Sequence, residues 1–294
     1  MRFRALSALP LIAVITAGAA CDMSLGHLAG RATDEWTHTY QLSPGGELRI
    51  ENTNGRIDVE PADGSAVEVR AEKIARAATD AGAQELLPRI VIKEDVKPDR
   101  VTISTERMSG IMIGAGIEVR YHVRAPKNIS VDVSNTNGAV SLTKLSNKVV
   151  ARTTNGAVTA KELTGPVEAR TTNGRVNVDL ASVSERAMLR TTNGSVTLNL
   201  PDSAKADLSA TWTNGGIDIS NVKMEVSERG RRRFEGRMNG GGAPIELHTT
   251  NGSIRIRNRA DLPATTDTDN SDDSAVTLKK ELKDVRPRSS GERR

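Results

Sequence analysis

Cysteine and aromatic residues are nearly absent from this chain. Phe, Tyr and Trp make up 2% of 294 residues: Phe3, Trp36, Tyr40, Tyr121, Trp212 and Phe234. Compact globules draw much of their buried area from such rings, so Val, Ile, Leu and Ala must fill the interior here. That suits thin, repetitive cores better than one thick core. The one cysteine, Cys21, excludes an internal disulfide and a CxxC redox or zinc site. The four histidines, His27, His38, His122 and His248, show no metal-ligand spacing. A P-loop, a dinucleotide fingerprint and a serine elbow are also missing, and Gly114-Ala115-Gly116 is too short for a phosphate loop. No cofactor and no catalytic residue is therefore expected. Charge is nearly balanced as well. The formal +4 falls to +2 once Arg2 and Arg4 leave with a leader, which argues against nucleic acid as a partner.

The N-terminus is informative. Arg2 and Arg4 precede the apolar stretch Leu6–Ala20, which ends in Gly18-Ala19-Ala20-Cys21. A basic start, a short apolar run and small residues before a cut describe a secretory signal over residues 1–20. The run is too short, and too rich in Ala and Gly, for a good membrane span. Cys21 resembles the lipidated cysteine of bacterial lipoproteins, although Gly18 stands where that family usually has Leu. Acylation adds roughly 0.8 kcal/mol per buried CH₂, which gives a single cysteine at the cut a purpose. The expectation is an exported, membrane-anchored envelope lipoprotein on the periplasmic or surface side.

What the chain has in abundance is Thr-Asn-Gly. The tripeptide ends at Asn54-Gly55, Asn137-Gly138, Asn155-Gly156, Asn173-Gly174, Asn193-Gly194, Asn214-Gly215 and Asn251-Gly252. From Asn137 the Asn-to-Asn spacings are 18, 18, 20, 21 and 37, the last nearly two periods. Around each corner the residues alternate: Val167, Ala169 and Thr171 share a face, as do Val176 and Val178, while Arg170, Thr172, Arg175 and Asn177 take the other. Asn-Gly supplies the positive φ of a tight corner. An antiparallel meander and a parallel β-solenoid both fit this alternation. The recurrence of TTNG itself favours the solenoid, since stacking at roughly 4.8 Å would let like Asn side chains bond up a ladder. The fold class expected is all-β, a parallel β-helix-like solenoid with a β-rich N-terminal cap containing one short helix.

These residues also resemble a family. Leu48-Arg49-Ile50-Glu51-Asn52-Thr53-Asn54-Gly55, Ala125-Pro126-Lys127-Asn128, the TTNG series and Gly240-Gly241-Gly242-Ala243-Pro244-Ile245 leading into Thr249-Thr250-Asn251-Gly252-Ser253-Ile254 are similar to the "putative adhesin" family of β-strand-repeat envelope proteins, a domain of unknown function. The resemblance covers roughly residues 36–258. It implies an all-β repeat outside the cytoplasm and brings no catalytic residues.

The expected organisation is a signal peptide (1–20), anchor and spacer (21–35), a repeat domain (36–258, with a cap at 36–133 and the stack at 134–258) and a charged tail (259–294). Strands are expected near Ala66–Ala71, Ile90–Lys93, Val101–Thr105 and Ile117–Val123, and a helix over Thr79–Leu87 closed by Pro88. The tail is acidic from Asp261 to Asp273 and basic from Lys279 to Arg294, and cannot bury enough apolar area to fold alone. Arg152, Arg170 and Arg190, each three residues before its Asn, would form a basic column on a stacked face. Like charges side by side cost stability, so the column either binds an anion or acidic glycan, or is neutralised by neighbouring acids. The run Arg229–Arg233 and the apolar tip Ile111-Met112-Ile113 are further surface features. The partners this reading suggests are a membrane through Cys21 and an envelope polysaccharide or membrane protein. The functions weighed are an adhesive or structural scaffold, a sensor module, and a polysaccharide-active enzyme. The last is disfavoured because Glu162, Glu168 and Asp179 occupy different repeat positions.

Overall fold

The computed structural model describes residues 29–106 and 114–261. The expected leader, Cys21, His27, Ile111-Met112-Ile113 and the residues beyond Asp261 lie outside the described residues.

The chain opens with β1 (Gly30–Gln41), β2 (Glu47–Glu51), β3 (Ile57–Ala62) and β4 (Ala66–Ala77). Strand β1 thus takes up Gly30–Glu35 of the stretch expected as spacer. Helix α1 (Asp80–Leu86) follows, started by Thr79, whose Oγ1 accepts a hydrogen bond from the Gly82 N–H at 3.1 Å. A 3₁₀ turn at Leu87–Arg89 carries Pro88 and ends the helical segment. Next come β5 (Ile92–Val96), β6 (Arg100–Thr105) and β7 (Ala115–Pro126). The central units are β8 (Ser130–Ser134) with β9 (Val140–Thr143), β10 (Val149–Asn155) with β11 (Val158–Leu163), β12 (Val167–Asn173) with β13 (Val176–Leu180), and β14 (Ala187–Asn193) with β15 (Val196–Leu200). The chain closes with β16 (Ala206–Ser220), β17 (Glu225–Arg229), β18 (Arg233–Met238) and β19 (Ala243–Asn258).

Pairing decides between the two candidate architectures. β8, β10, β12 and β14 pair side by side in parallel, and β9, β11, β13 and β15 do the same on the other face. Like residues meet in register: Val149 with Val167, Arg152 with Arg170, Thr153 with Thr171, Asn155 with Asn173. A meander would pair successive strands antiparallel, so the repeat is a solenoid. Each rung turns inward mainly small or branched aliphatic side chains, such as Val149, Ala151, Val158, Ala160 and Leu163, all buried. One rung cannot cover these by itself; its neighbours above and below complete the burial.

Both ends of the stack depart from sequence order. At one end β2 and β3 lie between the β6/β7 pair and the β8/β9 pair, all parallel. The first unit, Thr53-Asn54-Gly55, is therefore a rung of the same stack. At the other end β19 inserts between β14/β15 and β16, so the Asn251 unit follows Asn193 in space and the Asn214 unit is outermost. The spacing of 37 is thus not a skipped rung. It is the length of an excursion through β17 and β18, which pair antiparallel and extend the pre-corner face beyond β16. The Ser227–Arg233 insertion forms part of that hairpin. β4 and β1 extend the opposite end in the same antiparallel manner.

The described aromatic rings sit at these ends. Tyr121 is fully buried beneath the first rungs, its hydroxyl 2.7 Å from Thr105 Oγ1. Burial pushes its phenol up to about 12. Tyr40 donates to Glu94 at 2.6 Å, and Trp36 stacks on His38 with centroids 4.4 Å apart. Trp212 and Phe234 are buried at the far end. A terminal rung has a neighbour on one side only, so larger side chains are needed there to close the core.

Candidate functional site

The corners form three parallel columns. In the outer column the Asn side chains bond one to the next. Asn137 Nδ2 donates to Asn54 Oδ1 at 2.7 Å, and Asn155, Asn173, Asn193 and Asn251 each donate to the previous Asn at 2.8 Å. Asn214 donates to Asn251 at 2.7 Å and completes seven amides pointing the same way. The second column is buried. Thr153, Thr171, Thr191 and Thr249 donate to the carbonyls of Gly138, Gly156, Gly174 and Gly194 in the neighbouring rung, at 2.9–3.1 Å. Asn135 does the same job with Gly55, and Asn52 with Val119. The Thr that follows, Thr154, Thr172 or Thr192, faces solvent.

Glycine forms the third column, for a reason beyond the expected one. Positive φ belongs to the glycines and not to the corner asparagines. At Gly156, Gly174 and Gly194 φ is 152–157°, still a range that side chains rarely adopt. The decisive constraint is approach: a Cβ on Gly174 would stand 2.0 Å from Gly156 O, and one on Gly194 1.9 Å from Gly174 O. The corner is glycine because the next rung occupies the space of a side chain.

The arginine column forms as expected, since Arg152, Arg170 and Arg190 are in direct register. Two of them meet carboxylates. Arg152 reaches Asp132 at 3.3 Å and Glu168 at 2.9 Å, and Arg170 Nε lies 3.1 Å from the same Glu168. Arg190 has no ion-pair partner among the described residues and pairs laterally with His248. Burial, then the charge of Arg190, holds His248 below the ordinary imidazole value, and its Nδ1 sits 2.9 Å from Thr211 Oγ1.

A cleft that sequence reasoning missed lies at the Asn54 end of the Asn ladder. It encloses about 710 Å³ between the Asn54 and Asn137 corners, the start of β3, and the outward residues of β4 and β7. Three arginines and three carboxylates line it in two ion-paired groups. Arg56 bonds Asp58 at 2.7 Å, Arg76 reaches Glu118 at 3.3 Å, and Arg120 bonds Glu118 at 2.6 Å with Glu72 at 3.7 Å. The hydrogen bond from Arg120 to Glu118 strengthens its hold on the proton. His122 lies 3.7 Å from Asp58. Ile117, half-buried, gives the wall an apolar patch. The groups are fixed, directional and balanced in charge, which suits a ligand rich in hydroxyls. Among the described residues no cluster of His, Cys, Asp and Glu is placed to hold a metal ion.

Residues 46–257, most of the described stack, match one family. The chain belongs to the Toastrack DUF4097 family. Several solved structures resemble this Toastrack chain at low identity. A protein described as a putative cell adhesion protein from Clostridium sporogenes is 11% identical with a TM-score of 0.44, covering 78% of this chain and 100% of its own. A putative adhesin from Bacteroides fragilis is 10% identical with a TM-score of 0.38, covering 76% and 97%. A putative lipid binding protein from Parabacteroides distasonis is 9% identical with a TM-score of 0.30, covering 78% and 97%. No curated protein matches the Toastrack chain.

Proposed function

We propose that this Toastrack chain is a non-enzymatic, lipid-anchored scaffold of the bacterial envelope. In this reading it presents a rigid stack whose terminal cleft makes an adhesive contact with a hydroxyl-rich envelope polysaccharide. The continuous ladder from Asn54 to Asn214 carries the reading, because it fixes seven rungs in one register and ends in that cleft. Fixed guanidinium and carboxylate groups bind vicinal hydroxyls without reorganising, which lowers the ordering cost of a contact. Arg190 offers a further contact for an anionic segment of the same polymer. Cys21, following the leader, supports attachment through an acyl chain.

Two measurements test this. Metabolic labelling with a palmitate analogue, comparing wild type with Cys21→Ala, should show label only in wild type. Absence of label from both would remove the anchor. Binding to purified envelope polysaccharide should fall about tenfold in Arg120→Ala, the loss expected when a charged hydrogen-bonding partner is removed. Unchanged binding in Arg120→Ala and in Arg56→Ala would reject the cleft. Unchanged binding after reversing Arg170 and Arg190 to Glu would reject the arginine column.

A further inference from the structure

Among the described residues, the post-corner half of the outermost rung is open on one side. β16 pairs with β19 along its whole length, and its pre-corner half is covered on the other side by β18. No described strand pairs with the outer side of Gly215–Ser220. Ile217 and Ile219 are consequently only half-buried, whereas their stacked counterparts Ile254 and Ile256 are completely buried. Sheet edges of this kind present unpaired N–H and C=O groups and accept a further strand.

The chain itself carries a segment of the right pattern. Residues 275–282 read Ala-Val-Thr-Leu-Lys-Lys-Glu-Leu. The post-corner segments of the stack read Ala139-Val140-Ser141-Leu142-Thr143-Lys144-Leu145 and Ala157-Val158-Thr159-Ala160-Lys161-Glu162-Leu163. No Thr-Asn-Gly precedes it, so it amounts to half a repeat, and half a rung is what the end lacks. The exit point also fits. Asp261, the last described residue, accepts a hydrogen bond from Asn221 Nδ2 at 2.9 Å, one residue beyond β16. Residues 262–274 can span up to roughly 43 Å extended, against the roughly 20 Å of a six-residue edge. The chain can therefore run back and lie parallel.

We propose that residues 274–282 add as a parallel strand to the free edge of β16, with Val276 stacking on Ile217 and Leu278 on Ile219. Thr277 and Lys279 then face solvent beside Asp218 and Ser220. The segment needs to supply only one half-rung on a prepared edge.

Two experiments on the full chain test this. Hydrogen exchange of the Gly216–Ser220 amides should be slow in wild type and accelerate by about tenfold in Val276→Asp and Leu278→Asp. The outward Thr277→Asp should leave it unchanged. In a Cys21→Ala background, Asp218→Cys with Thr277→Cys should form an intramolecular disulfide on oxidation. Equal exchange in wild type and both inward variants would overturn the proposal, as would equal acceleration by Thr277→Asp. A disulfide found only between chains would also overturn it and assign the edge to a second copy.

Discussion

Gly174→Ala separates the two reasons a corner can require glycine. The new Cβ would lie 2.0 Å from Gly156 O, and real Cβ atoms essentially never come within 3.0 Å of such a neighbour. The rungs must part by about 1 Å at that point. Rigid parallel pairing continues on both sides of the corner, so the shift strains it directly. Overpacking of this kind costs about 1–3 kcal/mol, and weakening the Thr171 bond to Gly156 adds about 1 kcal/mol, for a total of about 2–4 kcal/mol. Gly45 is the control. Its φ of +79° is more left-handed than the 156° of Gly174, yet a Cβ there meets nothing within 4 Å. Gly45→Ala should cost about 1 kcal/mol, the left-handed penalty alone. Urea unfolding gives both values if the slope m is unchanged. Gly174 at 156° also lies where side chains are rare, so both sites carry a backbone penalty and only Gly174 carries the clash as well. If Gly45→Ala proves the more damaging of the two, the inter-rung contact is not what selects glycine.

Other substitutions test the remaining columns. Asn173→Ala removes two exposed amide bonds, to Asn155 and from Asn193, and should cost about 1–2 kcal/mol by the same urea measurement. Thr171→Val should cost about 1 kcal/mol because it strips a bond from a part-buried carbonyl, while Thr172→Val on the solvent side should stay within about 0.5 kcal/mol. NMR titration should place the His248 imidazole below its ordinary 6.5, and Arg190→Gln should raise it. Because the folded value is depressed, the unfolded chain binds the proton first. His248 therefore supports stability above pH 6.5, and that support is lost as pH falls through 6.5 toward the folded value. Tyr121→Phe should cost about 1 kcal/mol through the lost contact with Thr105, and the wild-type phenol should not ionise until near pH 12.

The solenoid was legible because its determinants are local and repeated. Asn-Gly recurs at nearly constant spacing, and the inward positions alternate on both sides of it. The order of rungs was not legible, because seven copies of one motif carry no address. Nothing in Thr250-Asn251-Gly252 says that it stacks on Asn193 ahead of Asn214. Helix α1 was placed to within a residue at each end by Thr79 and Pro88. The arginine column was read correctly as a column, but its neutralisation depends on Asp132 and Glu168, which stand two residues before the arginine position in their rungs. That signal was in the sequence: the outward residue at this offset runs Asp132, Val150, Glu168, Met188. The cleft was beyond sequence reasoning, since Arg56, Glu72 and Arg120 meet only because a rung and a long antiparallel pair converge from distant segments.

The exchanged order at both ends has a consequence for how such a protein can grow. The terminal structures, with their aromatic rings and antiparallel hairpins, grip the stack from outside and are indifferent to the number of units between them. A duplicated segment of 18 residues between Asn155 and Asn173 would meet the same neighbours in the same register and lengthen the rod by about 4.8 Å. Length is therefore a freely adjustable quantity, settled by copying, while the two ends keep their chemistry. The span of such a stack is then a matter of unit count alone.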